Sequence, residues 1–247
     1  MGLLTARSAD EIVSLSMPKD IREAHFVQDE NGMYLLTKEN AKKALACIEA
    51  NSRYKDPSYS VAYQERKART GRTLIDYDPD EMTDIIKKIA VSNSTRSSGQ
   101  NIRVIAAYIG KDRTRFLHRL ADGDIALVEE LAHLDGLTRR EESLSSKVCA
   151  YLSQLEFGQS RYAISDSVVR QILPYYLLRY GIAFKNPGAV MAASYTQVAA
   201  LIGAVAGRLP RYLAYHEIDR ILWYGYRNDP VRCAIAQAIV KNSTDRS

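Results

Sequence analysis

Apolar residues recur at spacings of three and four along most of this chain, the signature of helices with one buried face. In "DPDEMTDIIKKIAVSN", Met82, Ile85, Ile86 and Ile89 fall on one side, Asp78 is placed to cap and Pro79 takes the first turn. "LTKENAKKALACIEAN" opens on Thr37 as N-cap and closes on an asparagine. "NIRVIAAYIG" is short enough for a strand, but its neighbours favour a helix, and "DIALVEELAHL" (124–134) is clearly amphipathic. From Ser143 the pattern resumes with Leu144, Val148, Tyr151, Leu152 and Leu155. "DSVVRQILPYYLLRYG" turns Val169, Ile172, Leu173 and Tyr176 inward, and Pro174 either kinks this helix or begins another. Gly203 and Gly207 in "TQVAALIGAVAGRL" lower helix propensity, which points to close packing there. "YHEIDRILWYGYR" is a last amphipathic helix, with Trp223 expected in the core.

Polar or turn-rich stretches separate these elements: "STRSSGQN" (94–101), "DGLTRREES" and "EFGQSRYAI", the last read as a turn and a short extended piece. Strand signals are few. The expectation is an all-α fold, a two-lobed helical bundle. Its N-terminal lobe spans 1–100 and its core 101–247, unless the two pack as one domain.

Composition narrows this picture only slightly. The chain has 247 residues, of which 46% are hydrophobic and 26% charged, ordinary for a folded protein with a sizeable core. The net charge of +5 favours an acidic partner weakly, because the excess is spread along the chain. Cys47, Cys149 and Cys233 stand far apart and form neither a disulfide framework nor a zinc pattern, and Cys149 reads as a small core residue in a reducing compartment. The N-terminus carries early charges and no long apolar run, so no signal peptide is expected, and no stretch approaches a membrane span. A cytoplasmic protein without a membrane partner follows. His25, His118, His133 and His216 show no metal-ligand spacing, so no metal and no cofactor is assigned.

Chemistry gathers around one pair. Lys147 and Asp166 stand nineteen positions apart, joined by an apolar helix and a returning turn. A lysine in the first turn of a helix feels the positive end of the dipole, which favours the neutral amine a nucleophile needs. A carboxylate brought back to face it suits Schiff-base chemistry at a sugar carbon: the amine attacks the anomeric carbon and the carboxylate stabilises the developing positive charge. An N-terminal position for Asp166 also suits a helix cap.

The quoted residues carry a resemblance. In the 8-oxoguanine glycosylase-like branch of the helix-hairpin-helix DNA glycosylases, a Gly-Val-Gly-Thr-Lys hairpin ends in a catalytic lysine, and a Val-Pro-Val-Asp segment follows at this same separation. Here "SLSSK" ends on Lys147 and "YAISD" ends on Asp166, within a hairpin-like segment 137–147 and the helix after it. The likeness is strong over 143–166 and extends loosely over 124–180. It implies excision of a damaged base flipped from duplex DNA, with Lys147 and Asp166 catalytic and Ser143, Ser145, Ser146, Arg139 and Arg140 contacting the strand. Serines replace the hairpin glycines, and the family's proline before the aspartate is missing, with Ile164 and Ser165 preceding Asp166.

Other groups fit a DNA partner without requiring one. Arg96, Lys111, Arg113, Arg115 and Arg119 form a loose basic set that either tracks a phosphate backbone or is a solvated face. Tyr175, Tyr176 and Tyr180 either line a base pocket or pack. The rival to an enzyme is a glycosylase-fold protein without catalysis, serving as a nucleic-acid-binding or oligomeric interaction module. Oligomeric state is left open, a homodimer included.

Overall fold

Local capping decides where the helices begin. The Asp78 carboxylate accepts the amides of Asp80 and Glu81 at 2.9 Å each, while Glu81 accepts the Asp78 amide at 2.8 Å, a reciprocal box ahead of Pro79. Thr37 accepts the Asn40 amide at 3.2 Å, and Ser98 that of Asn101 at 3.1 Å. The computed structural model describes residues 26–50, 57–93, 95–158, 161–227 and 229–244. The start of the expected N-terminal lobe, with His25, lies outside them.

Among the described residues the fold is all-α, with one isolated bridge between Gln28 and Tyr34 and no strand. The helices are α1 (Lys38–Ala50), α2 (Ser58–Thr70), α3 (Pro79–Ser92), α4 (Gly99–Lys111), α5 (Arg113–Asp122), α6 (Ile125–Ala132) and α7 (Glu142–Phe157). There follow α8 (Ser167–Arg179), α9 (Pro187–Ala192), α10 (Tyr195–Arg208), α11 (Tyr215–Asp219) and α12 (Pro230–Thr244), with a π-helical segment over Arg220–Tyr224. No helix among the described residues is long and apolar enough to cross a membrane.

The chain forms two compact units. One contains Ser52–Asp166 and Ala193–Gly203; the other contains Met1–Asn51, Ser167–Ala192 and Ala204–Ser247. The division expected at residue 100 instead falls in the first turn of α4, which packs along α3. A boundary there would cut a buried helix pair, and burial of shared apolar surface is what keeps elements in one unit.

In the first unit α3 packs on α2, α4 and α7, and α7 on α5 and α6. Met82, Ile85, Ile86 and Ile89 meet Ile105, Ile109, Leu144, Val148 and Leu152 in one core. In the second unit α8 packs on α9, α12 and the π segment. Val169, Ile172, Leu173 and Tyr176 are buried there, and α8 runs unbroken past Pro174. Gly207 has nothing within 4 Å of where a Cβ would stand, so the close packing expected of it is absent. The tight glycine is Gly225, whose added Cβ would come within 2.8 Å of the Tyr34 ring. Trp223 is half-buried rather than in the core, with the Arg227 guanidinium 4.3 Å from its ring centre.

Candidate active site

Two glutamates begin α7, where negative charge offsets the unpaired amides of a helix start. Both are buried, and each is fully partnered. Glu141 accepts from Asn101 at 2.6 Å, Ser97 at 2.8 Å and Arg139 at 3.0 Å. Glu142 accepts from the Ser165 hydroxyl at 2.8 Å and pairs with Arg140. The Ser165 amide in turn donates to the Ser146 hydroxyl at 3.2 Å. These bonds fasten the irregular segment 161–166 to the first turns of α7, and so set where Asp166 ends up.

The result is that Lys147 and Asp166 meet. Their Nζ and Oδ2 atoms stand 3.7 Å apart, with side chains only 4% and 9% exposed. The Lys147 ammonium also donates to Thr95 Oγ1 at 3.2 Å and Ser143 Oγ at 3.3 Å. The separation is an ion-pair distance and longer than a hydrogen bond. A buried amine beside a carboxylate, with hydroxyls alongside, is a set of groups suited to nucleophilic attack followed by charge stabilisation.

Several expectations of the surroundings are corrected. Residues 142–147 are helical, so the hairpin expected to end at Lys147 is not there. Lys147 lies in the second turn of α7, beyond the first turn where the dipole acts most strongly. Ser145 and Ser146 are fully buried and Ser143 half-buried, which removes the first two from contact with a strand. Arg139 and Arg140 remain on the surface, 57% and 41% exposed, each leaning on a glutamate. The tight turn lies earlier, at Leu134–Leu137, closed by the Leu137 amide on the Leu134 carbonyl at 3.2 Å. Gly136 occupies its third position at φ +89°, where a type II turn needs a residue tolerant of positive φ. The "DG" pair was the available signal.

Other candidates are occupied by packing. Tyr176 donates to the Tyr34 carbonyl at 2.6 Å and shares a hydrogen bond with Tyr226 at 2.7 Å, while Tyr175 bonds Asp29. Both rings are buried, and burial pushes both phenols up. In the basic set, Arg119 is held by Asp124 at 2.7 Å and Glu130 at 2.5 Å, and Arg113 donates to the Ile75 carbonyl. Arg96, Lys111 and Arg115 are exposed. Thr95, Glu141, Glu142 and Ser165 complete the polar cluster around the pair and had no sequence signal beyond the acidic doublet opening a helix.

Comparison of the chain with protein-family models, curated proteins and solved structures returns no significant match.

Proposed function

We propose that this chain is a base-excision DNA glycosylase working through a Schiff base, with Lys147 as nucleophile and Asp166 as the assisting carboxylate. The observation that carries the reading is the 3.7 Å approach of these two side chains, nineteen residues apart, inside a buried polar cluster. The order α6, turn, α7, extended segment, α8 is also the order the resemblance implies. In the proposed reaction Lys147 gives its ammonium proton to solvent, and the neutral amine bonds to the sugar C1′ as the bond to the base breaks. The base leaves with that electron pair, and the negative Asp166 stabilises positive charge on the sugar. The new nitrogen passes a proton to the departing base, and the C1′–O4′ bond then opens, O4′ taking up a proton, to leave the Schiff base. The target base is flipped out of the duplex to bring C1′ within reach.

Borohydride trapping on a panel of lesion-bearing duplexes tests this. A covalent protein–DNA adduct is expected with the cognate lesion and none in Lys147→Gln, with circular dichroism separating loss of the amine from loss of the fold. Absence of an adduct across oxidised, deaminated and alkylated bases, or an adduct that survives in folded Lys147→Gln, overturns the mechanism.

The enclosure of the cluster favours a second reading. Ser145 and Ser146 are wholly buried and Lys147 nearly so, as a structural ion pair in a binding module would be. Salt-dependent duplex binding with no base release selects that reading.

A further inference from the structure

The chain after α10 presents charge and an aromatic ring together at the surface. Arg208 ends α10, the Leu209 amide closes a turn on the Ala206 carbonyl at 3.2 Å, and Leu213 is buried beyond it. Arg208, Pro210, Arg211 and Tyr212 between them are exposed. Tyr212 keeps 75% of its surface open, more than any other large hydrophobic side chain among the described residues. Tyrosines usually bury the ring and leave the hydroxyl wet.

Other arginines of this unit are held by partners. Arg170 donates to the carbonyls of Val190 and Met191 at 3.3 and 2.9 Å, Arg179 pairs with Asp29 at 2.9 Å, and Arg232 with Asp229 at 3.1 Å. Arg208 and Arg211 have no such partner among the described residues. The sequence supplies none nearby, since no aspartate or glutamate occurs between Asp166 and Glu217. Glu217 itself is neutralised by Lys38 at 2.5 Å. The loop therefore projects uncompensated positive charge around an open π-face.

We infer that the loop Arg208–Tyr212 is a contact for single-stranded nucleic acid, with Arg208 and Arg211 on phosphates and Tyr212 stacked on an unpaired base. Guanidinium groups match phosphate geometry, and an open aromatic face accepts any base without reading its sequence. Paired bases inside a duplex keep their faces covered, so the ring discriminates for an unpaired nucleotide. Charge complementarity to a polyanion selects this occupant over an apolar one. The inference lies in the unit that does not hold Lys147, and it needs no excision chemistry.

Fluorescence anisotropy with an undamaged labelled oligothymidylate and a blunt duplex tests it across a salt series. Tyr212→Ala should weaken binding to the single strand by about tenfold, with little effect on the duplex, and Tyr212→Trp should restore it. Replacing both arginines by glutamine should flatten the log–log salt slope by about 1.4, two phosphate contacts at roughly 0.7 each. Affinity unchanged in Tyr212→Ala, a loss that tryptophan does not restore, or an unchanged salt slope overturns the inference. So does binding to phosphatidylglycerol vesicles without binding to the oligonucleotide. Because the probe carries no lesion, failure of the trapping experiment leaves this result standing, and the converse holds.

Discussion

Removing the amine of Lys147 while keeping its bulk, in Lys147→Met, leaves Asp166 as a carboxylate only 9% exposed. At 3.7 Å, two unit charges attract by roughly 4 to 5 kcal/mol with an effective dielectric constant of about 20. Desolvating both ions costs several kcal/mol, so the pair as a whole contributes little net stability. Deleting one partner is different, because the other keeps its desolvation cost and loses this attraction. The expected loss is about 3 kcal/mol, the lower end for a broken buried pair, since Asp166 keeps some contact with solvent. Lys147→Met/Asp166→Asn, which buries no charge, should cost less than the sum of the two single changes, with a coupling of about 1 kcal/mol or more. Urea unfolding followed by far-UV circular dichroism gives all three values. If Lys147→Met costs under about 1 kcal/mol and the singles add to the double within about 0.5 kcal/mol, the pair is not electrostatically coupled and the reasoning fails.

Gly225→Ala should destabilise by about 1–3 kcal/mol. The new methyl would stand 2.8 Å from a Tyr34 ring that is 1% exposed and covered by the Arg232 guanidinium, and a thermal melt unchanged from wild type would refute this. Burial, and then the neighbouring Arg220, hold the His216 imidazole below its ordinary range. The unfolded chain therefore takes up this proton at a higher pH than the folded one. The stability it contributes is present in full above about pH 6.5 and is lost as the pH falls toward the lower folded value. His216→Asn should flatten that part of the Tm-against-pH curve, and an unaltered curve would refute the assignment.

Helix positions were legible in the sequence because their causes are local. The Asp78–Pro79 start and the face of Met82, Ile85, Ile86 and Ile89 depend on neighbours within one or two turns, and α3 forms where they place it. The same holds for α6 and α8, and it suffices to define the all-α class. The return of Asp166 toward Lys147 was also readable, since an apolar helix followed by a short extended stretch brings the chain back on itself. The burial of polar residues was not readable. Ser145 and Ser146 look like polar loop residues in a string of serines, yet helix α7 begins at Glu142 and turns both inward. That start is fixed by Ser97, Asn101 and Ser165, which approach Glu141 and Glu142 only after the distant segments pack. The division into units depends in the same way on which helices share a core, so one unit recruits Ala193–Gly203 from far along the chain. By itself the sequence determined the elements and the pairing of one lysine with one aspartate, because periodicity and capping act over a few residues. Tertiary structure alone decided that the pair is enclosed and that Tyr212 stands in the open, because exposure is set by what packs across from a residue.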